Sequence, residues 1–128
     1  MAESRIQAID DVVREAPLGI EDRLRWFYRE IGCLVEVRSN GAAPEELRFK
    51  SAQTYLRLRL LENPHISATG YPVVLAVPSL EEAADQLADG DVPFEWVRGL
   101  WWVDRRVATV DPAGNRVEFK PAWPFALI

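Results

Sequence analysis

Histidine and cysteine are almost absent from this chain: it has one of each, His65 and Cys33. A single cysteine excludes an intramolecular disulfide and suits a reducing compartment. Cys33 follows a helix-like stretch and is expected to be a small buried hydrophobe. With the histidine far away in sequence, no nucleophilic dyad is suggested. Long apolar runs are also missing; none approaches the roughly 20 residues that cross a bilayer. The first residues lack the basic stretch and apolar core of a signal peptide, so the cytoplasm is the expected location. Positive charge is in the minority, with 15 Lys and Arg against 20 Asp and Glu, and no basic arm or helix face stands out. Neither nucleic acid nor membrane is therefore expected as a partner.

What the chain has is an ordinary globular balance, 48% apolar and 27% charged, over a length that suits one domain, 1–128. Its five tryptophans are many for that length, and Trp is favoured in cores, pockets and interfaces alike.

The clearest local signal is Asp111-Pro112-Ala113-Gly114-Asn115-Arg116-Val117-Glu118-Phe119. Pro112 presets φ near −65° for a turn, while Gly114 and Asn115 tolerate positive φ. The chain then leaves as an alternating strand, Val117 and Phe119 on one face, Arg116, Glu118 and Lys120 on the other.

The remaining elements follow from periodicity. Ile6 to Val13 reads as a strand. Ile20, Leu24, Phe27, Tyr28 and Ile31 recur at helical spacing, with Glu21 and Asp22 at the positive end of the helix and Gly32 placed to close it. Cys33 to Arg38 is a strand, Ser39-Asn40-Gly41 a turn, and Leu47 to Lys50 and Thr54 to Leu61 are strands. The last alternates Leu56, Leu58 and Leu60 against Tyr55, Arg57 and Arg59. Tyr71 to Val77 is again a strand. Ser79-Leu80-Glu81-Glu82 is a capping box opening a helix that ends at Asp89-Gly90-Asp91. Strands follow over Val92 to Val97, Leu100 to Val110 and Asn115 to Lys120. Strand, helix and three strands thus occur twice, displaced by about sixty residues. The modules are 1–62 and 71–120, with Glu62 to Gly70 as the link. An apolar tail, 121–128, carries Trp123 and Phe125 and is expected to dock on the domain or across a dimer contact.

This doubled order, ending in Asp111-Pro112-Ala113-Gly114-Asn115-Arg116-Val117-Glu118-Phe119, resembles the vicinal-oxygen-chelate superfamily, which includes glyoxalase I, bleomycin-resistance proteins, extradiol dioxygenases and fosfomycin-resistance enzymes. Ile9-Asp10-Asp11-Val12-Val13, Leu24 to Gly32 and Val77-Pro78-Ser79-Leu80-Glu81-Glu82-Ala83 match as well. The resemblance implies an α+β fold of two tandem β-α-β-β-β modules forming a cupped mixed sheet, and a homodimer. It also implies four metal-ligand positions, here Asp11, Arg59, Pro72 and Glu118. Only Glu118 is the family's usual residue; Asp11 stands where a His is typical. Arg59 carries a fixed positive charge and Pro72 has no side-chain donor. Zinc and iron sites want three or four protein ligands, so no metal and no other cofactor is expected.

Arg59 is expected instead to bridge Asp11 and Glu118, a fork of guanidinium in place of the cation. Asp11, Arg57, Arg59, Glu118 and the aromatic Trp96, Trp101 and Trp102 are the candidate ligand-binding residues; Glu118 and Asp11 are the candidate catalytic ones. The resulting expectation is a metal-independent small-molecule-binding protein of the glyoxalase and bleomycin-resistance type. Two alternatives stay open. One is a metal-dependent lyase, isomerase or dioxygenase of the same superfamily. The other is a metal-free enzyme with Glu118 or Asp11 as general base.

Overall fold

In the computed structural model, residues 10–38, 45–66, 70–98 and 105–122 are described. The first module contains β1 (Asp10–Pro17), α1 (Glu21–Arg25) running on into a π-helical turn (Trp26–Ile31), β2 (Val35–Val37), β3 (Glu46–Lys50) and β4 (Thr54–Leu61). The second contains β5 (Val73–Val77), α2 (Leu80–Asp89), β6 (Phe94–Arg98), β7 (Arg105–Val110) and β8 (Arg116–Pro121). They form two four-stranded mixed sheets, ordered β1-β4-β3-β2 and β5-β8-β7-β6. In each sheet the first and last strands of the module run parallel, Val12 beside Leu56 and Val73 beside Val117. The other pairings are antiparallel.

Several boundaries differ from the sequence expectation. Strand β1 runs on to Pro17, past Val13, because all eight of its residues from Asp10 pair with β4 and the inner face can close over Ala16. Pairing in β5 starts at Val73: Pro72 has no N–H to give to a ladder, and Tyr71 is left exposed. The expected turn at Ser39-Asn40-Gly41, residues 100–104 of the long strand and most of the apolar tail lie outside the described residues.

One apolar core joins the modules, and the first helix sits at its centre. Phe27 and Tyr28 are adjacent yet both fully buried, which the wider π-turn permits by placing neighbours on one face. The Tyr28 ring lies 5.5 Å from Phe49 of the first sheet, while the Phe27 ring lies 5.9 Å from Phe119 of the second. Each buried ring contributes roughly 1.5–3 kcal/mol relative to exposure.

Both helices end by the same device. Gly32 and Gly90 keep helix-like φ; the residues after them, Cys33 and Asp91, take φ of 59° and 58°. The glycines are present for space. A Cβ on Gly32 would stand 2.8 Å from the Tyr28 carbonyl oxygen and 3.1 Å from Leu75, and one on Gly90 would stand 2.7 Å from the Trp26 indole. Each helix terminus is thus pressed against the other module. Ser79 caps α2 as expected, its Oγ accepting from the Glu82 N–H at 3.1 Å.

Candidate functional site

Strand alternation sends one side chain in two into the core and leaves the other on the open face of its sheet. On β4, Leu56, Leu58 and Leu60 are buried, and Tyr55, Arg57 and Arg59 face outward. Parallel pairing sets Asp11 beside Tyr55 and Val13 beside Arg57, so Asp11 shares that open face. On β8, Val117 and Phe119 are buried and Glu118 faces outward.

Among the described residues the open faces carry ion pairs; on the first, Arg48 Nε donates to Glu46 Oε1 at 2.7 Å beside a second pair made by Arg57. Arg57 Nε and Nη2 donate to the two carboxylate oxygens of Asp11 at 3.3 and 3.4 Å, a forked contact. Arg106 Nη1 donates to Glu118 Oε1 at 3.0 Å. These contacts correct the expected bridge. Arg59 does not lie between Asp11 and Glu118; it is exposed and stands beside Glu15, farther along the parallel ladder. Counted from the last rung before each hairpin turn, Lys50 with Tyr55 and Val110 with Arg116, Arg57 and not Arg59 occupies the position equivalent to Glu118.

The four equivalent positions are therefore Asp11, Arg57, Pro72 and Glu118. Their chemistry does not fit a divalent metal: one is a cation, one has no donor, and both carboxylates are neutralised by guanidinium groups. Among the described residues, no group of three or more His, Cys, Asp or Glu side chains is gathered as a metal would need.

Trp96, a candidate ligand-binding residue, does not share the open face with Glu118. It pairs with Val107, which pairs with Phe119, so it lies on the helix-facing side of its sheet, and Glu118 lies on the opposite side. There its ring stacks on Arg105, 4.8 Å from the guanidinium, and Arg105 Nη2 donates to Glu81 of α2 at 2.7 Å. Trp101 and Trp102 lie outside the described residues. Cys33 is exposed, contrary to expectation, because the left-handed turn carries it outward. Partial desolvation, reinforced by Glu82 and Glu30, raises its thiol pKa above the usual value, which disfavours the reactive thiolate.

The terminal turn does more than reverse the chain. Gly114 has the expected positive φ; Asn115 does not. Asp111 is buried, and its Oδ1 accepts from the Ala113 and Asn115 N–H groups at 2.8 and 2.9 Å. Oδ2 accepts from Tyr28 Oη at 2.6 Å and from Asn115 Nδ2 at 3.2 Å. Asn115 Nδ2 also donates to the Glu15 carbonyl at 3.0 Å. A turn of the second module is thereby tied to a helix and a strand of the first. Burial, then the Asp111 charge, pushes the Tyr28 phenol well above its ordinary value.

Two cavities flank these elements. One of about 930 Å³ lies between the first helix and β2 and β3; there Arg25 Nε donates to Glu36 Oε2 at 3.0 Å. The other, about 380 Å³, lies where β1, the inter-module link and β8 meet. Sequence reasoning missed Arg106 and Asp111 as partners. Arg106 was findable, since alternation with Val107 and Thr109 places it on the polar face. The union of Asp111 with Tyr28 had no local signal.

No family model matches the sequence, and no curated protein matches it either. Solved structures do match. A protein assigned to the glyoxalase family from Bacillus anthracis superposes with a TM-score of 0.74 at 24% identity, covering 91% of this chain and 95% of its own. A lactoylglutathione lyase from Agrobacterium tumefaciens gives 0.65 at 19% identity, with 94% and 97% covered. TnmS3, an antibiotic binding protein from Streptomyces sp. CB03234, gives 0.63 at 18% identity, with 91% and 98% covered. The chain therefore has the glyoxalase-type fold of tandem β-α-β-β-β modules.

Proposed function

We propose that this chain is a metal-independent small-molecule-binding protein whose ligand is held on the open faces of the two sheets, by Arg57 and Asp11 on one and Arg106 and Glu118 on the other. The observation that carries this reading is the forked Arg57–Asp11 contact: a fixed cation stands where a metal ligand would have to be, with its charge already directed at the neighbouring carboxylate. A guanidinium–carboxylate pair is a natural reader of polar ligands, because either partner can exchange its contact for a matching group. The fold is shared with an antibiotic binding protein as well as with a lyase, so binding without chemistry lies within its range. Glu118, already an acceptor from Arg106, is poorly placed to serve as a free general base.

The test is a thermal-shift screen on protein stripped with chelator. Zinc, nickel, manganese and iron(II) are expected to leave the melting temperature unchanged, and a library of small polar aromatics to contain stabilising compounds whose effect is lost in R57A. Stabilisation by one equivalent of a divalent ion would overturn the reading. The homodimer belongs to the same proposal. Light scattering should give twice the chain mass.

A further inference from the structure

The 380 Å³ cavity at the module junction borders the open sheet faces through Val13 and Arg116 but contains neither Arg57 nor Glu118. It is lined by Val13, Arg14, Glu15, His65, Tyr71 and Arg116, together with Gly70 and Asn115. Arg14 and Arg116 are both half-buried, and each is anchored to main-chain carbonyls at or next to the end of the inter-module link. Arg14 Nη2 donates to the Tyr71 carbonyl at 2.8 Å and its Nη1 to the Val13 carbonyl at 2.9 Å. Arg116 Nη1 donates to the Gly70 carbonyl at 3.2 Å. These acceptors are neutral, and neither guanidinium has a carboxylate partner among the described residues. Two half-buried cations whose partners among the described residues are carbonyl dipoles leave a positive potential that an oxyanion would neutralise. Arg116 keeps Nε and Nη2 unused among the described residues, a fork suited to a carboxylate.

The remaining lining limits the charge and shape of the occupant. Glu15 adds one negative charge; its Oε1 accepts from the His65 N–H at 2.7 Å. Two arginines against one glutamate leave an excess of one positive charge, which favours a monoanion over a phosphate dianion. Tyr71, 91% exposed, and Val13, 39% exposed, supply apolar surface at the mouth. The volume is that of a small-molecule site. We propose that this junction binds a small monocarboxylate with an apolar body, its carboxylate on Arg116 and Arg14 and its body against Tyr71 and Val13.

Benzoate, with benzamide as its neutral isostere, tests the proposal by titration of the intact chain followed by NMR. Benzoate should saturate and shift the amide signals of Gly70, Tyr71 and the Asn115 side chain. Benzamide should bind at least tenfold more weakly, and R116Q should weaken benzoate at least tenfold. R14Q serves as the second variant should R116Q fail to fold. Benzoate that fails to saturate, equal binding of benzoate and benzamide, or binding that survives both substitutions would overturn the proposal. Loss of benzoate in R57Q rather than R116Q would also overturn it, placing the carboxylate on the open sheet face.

Discussion

Tyr28 Oη donates to Asp111 Oδ2 at 2.6 Å, joining the first helix to the last turn across 83 residues of sequence. The carboxylate also takes two backbone N–H groups and one side-chain N–H, so its charge is held by four donors in a buried place. Such networks are costly to break in part, since removal of one member leaves the others desolvated and unmatched.

Y28F keeps the ring in its packing against Phe49 and deletes only the donor. A loss of about 1–3 kcal/mol is expected, read by urea denaturation. A loss below a few tenths would mean that the hydroxyl bond contributes nothing net.

The same phenol gives a pH dependence of known sign. Burial and the Asp111 charge raise its folded pKa above the unfolded value of 10.0. A group whose neutral form is favoured by folding contributes stability that is fully present below the unfolded pKa and lost as pH rises above it. Unfolding free energy should therefore fall above about pH 10 in the parent and fall less steeply in Y28F. Equal slopes in the two proteins would contradict the assignment.

Arg57 and Asp11 are both substantially exposed, 34% and 57% at the side chain. A double-mutant cycle over R57A and D11A should return no more than about 1 kcal/mol of coupling, reduced further by salt. The pair is thus read as a binding device rather than a structural one, and a coupling well above that range would reverse the reading.

Gly32 and Gly90 should respond differently to alanine. In G32A the new methyl meets the Tyr28 carbonyl, which cannot yield without moving the helix, and a loss of about 1–3 kcal/mol is expected. In G90A it meets the far edge of the Trp26 indole, a partly exposed side chain that can slide outward, so the loss should be smaller. Thermal unfolding of the two variants ranks them directly.

Cys33 stands in the left-handed region at φ 59°. C33G removes a backbone cost of about 1–2 kcal/mol and adds back roughly half of it as unfolded-chain entropy. A net gain of about 0.5–1 kcal/mol is expected, with a smaller gain for D91G because Asp tolerates that conformation better. A loss in C33G would show that the thiol packs usefully against its neighbours.

Much of this fold could be read from the residues. The alternation of Thr54 to Leu61 specifies both faces of β4, the capping box starts α2 at the residue expected, and the doubled order of elements points to paired modules. Local signals of this kind survive because they depend on spacing along one strand or one helix. Register between strands does not. Arg57 and Arg59 differ by one rung, and no property of β4 alone distinguishes them, since both lie on its polar face. The face that Trp96 takes is likewise set by pairing with Val107, not by its own neighbours.

The sequence by itself determined which residues are apolar at which period, hence the strands, the helices, their order and the poverty of metal donors. Tertiary structure alone decided which polar groups meet. Arg57 reaches Asp11, Arg106 reaches Glu118, and Tyr28 reaches Asp111 because parallel pairing and helix packing bring together residues far apart in the chain. Hydrophobic burial is non-directional and can be read from pattern, whereas a hydrogen bond requires two particular atoms within about 3 Å, a condition that only the folded backbone can meet.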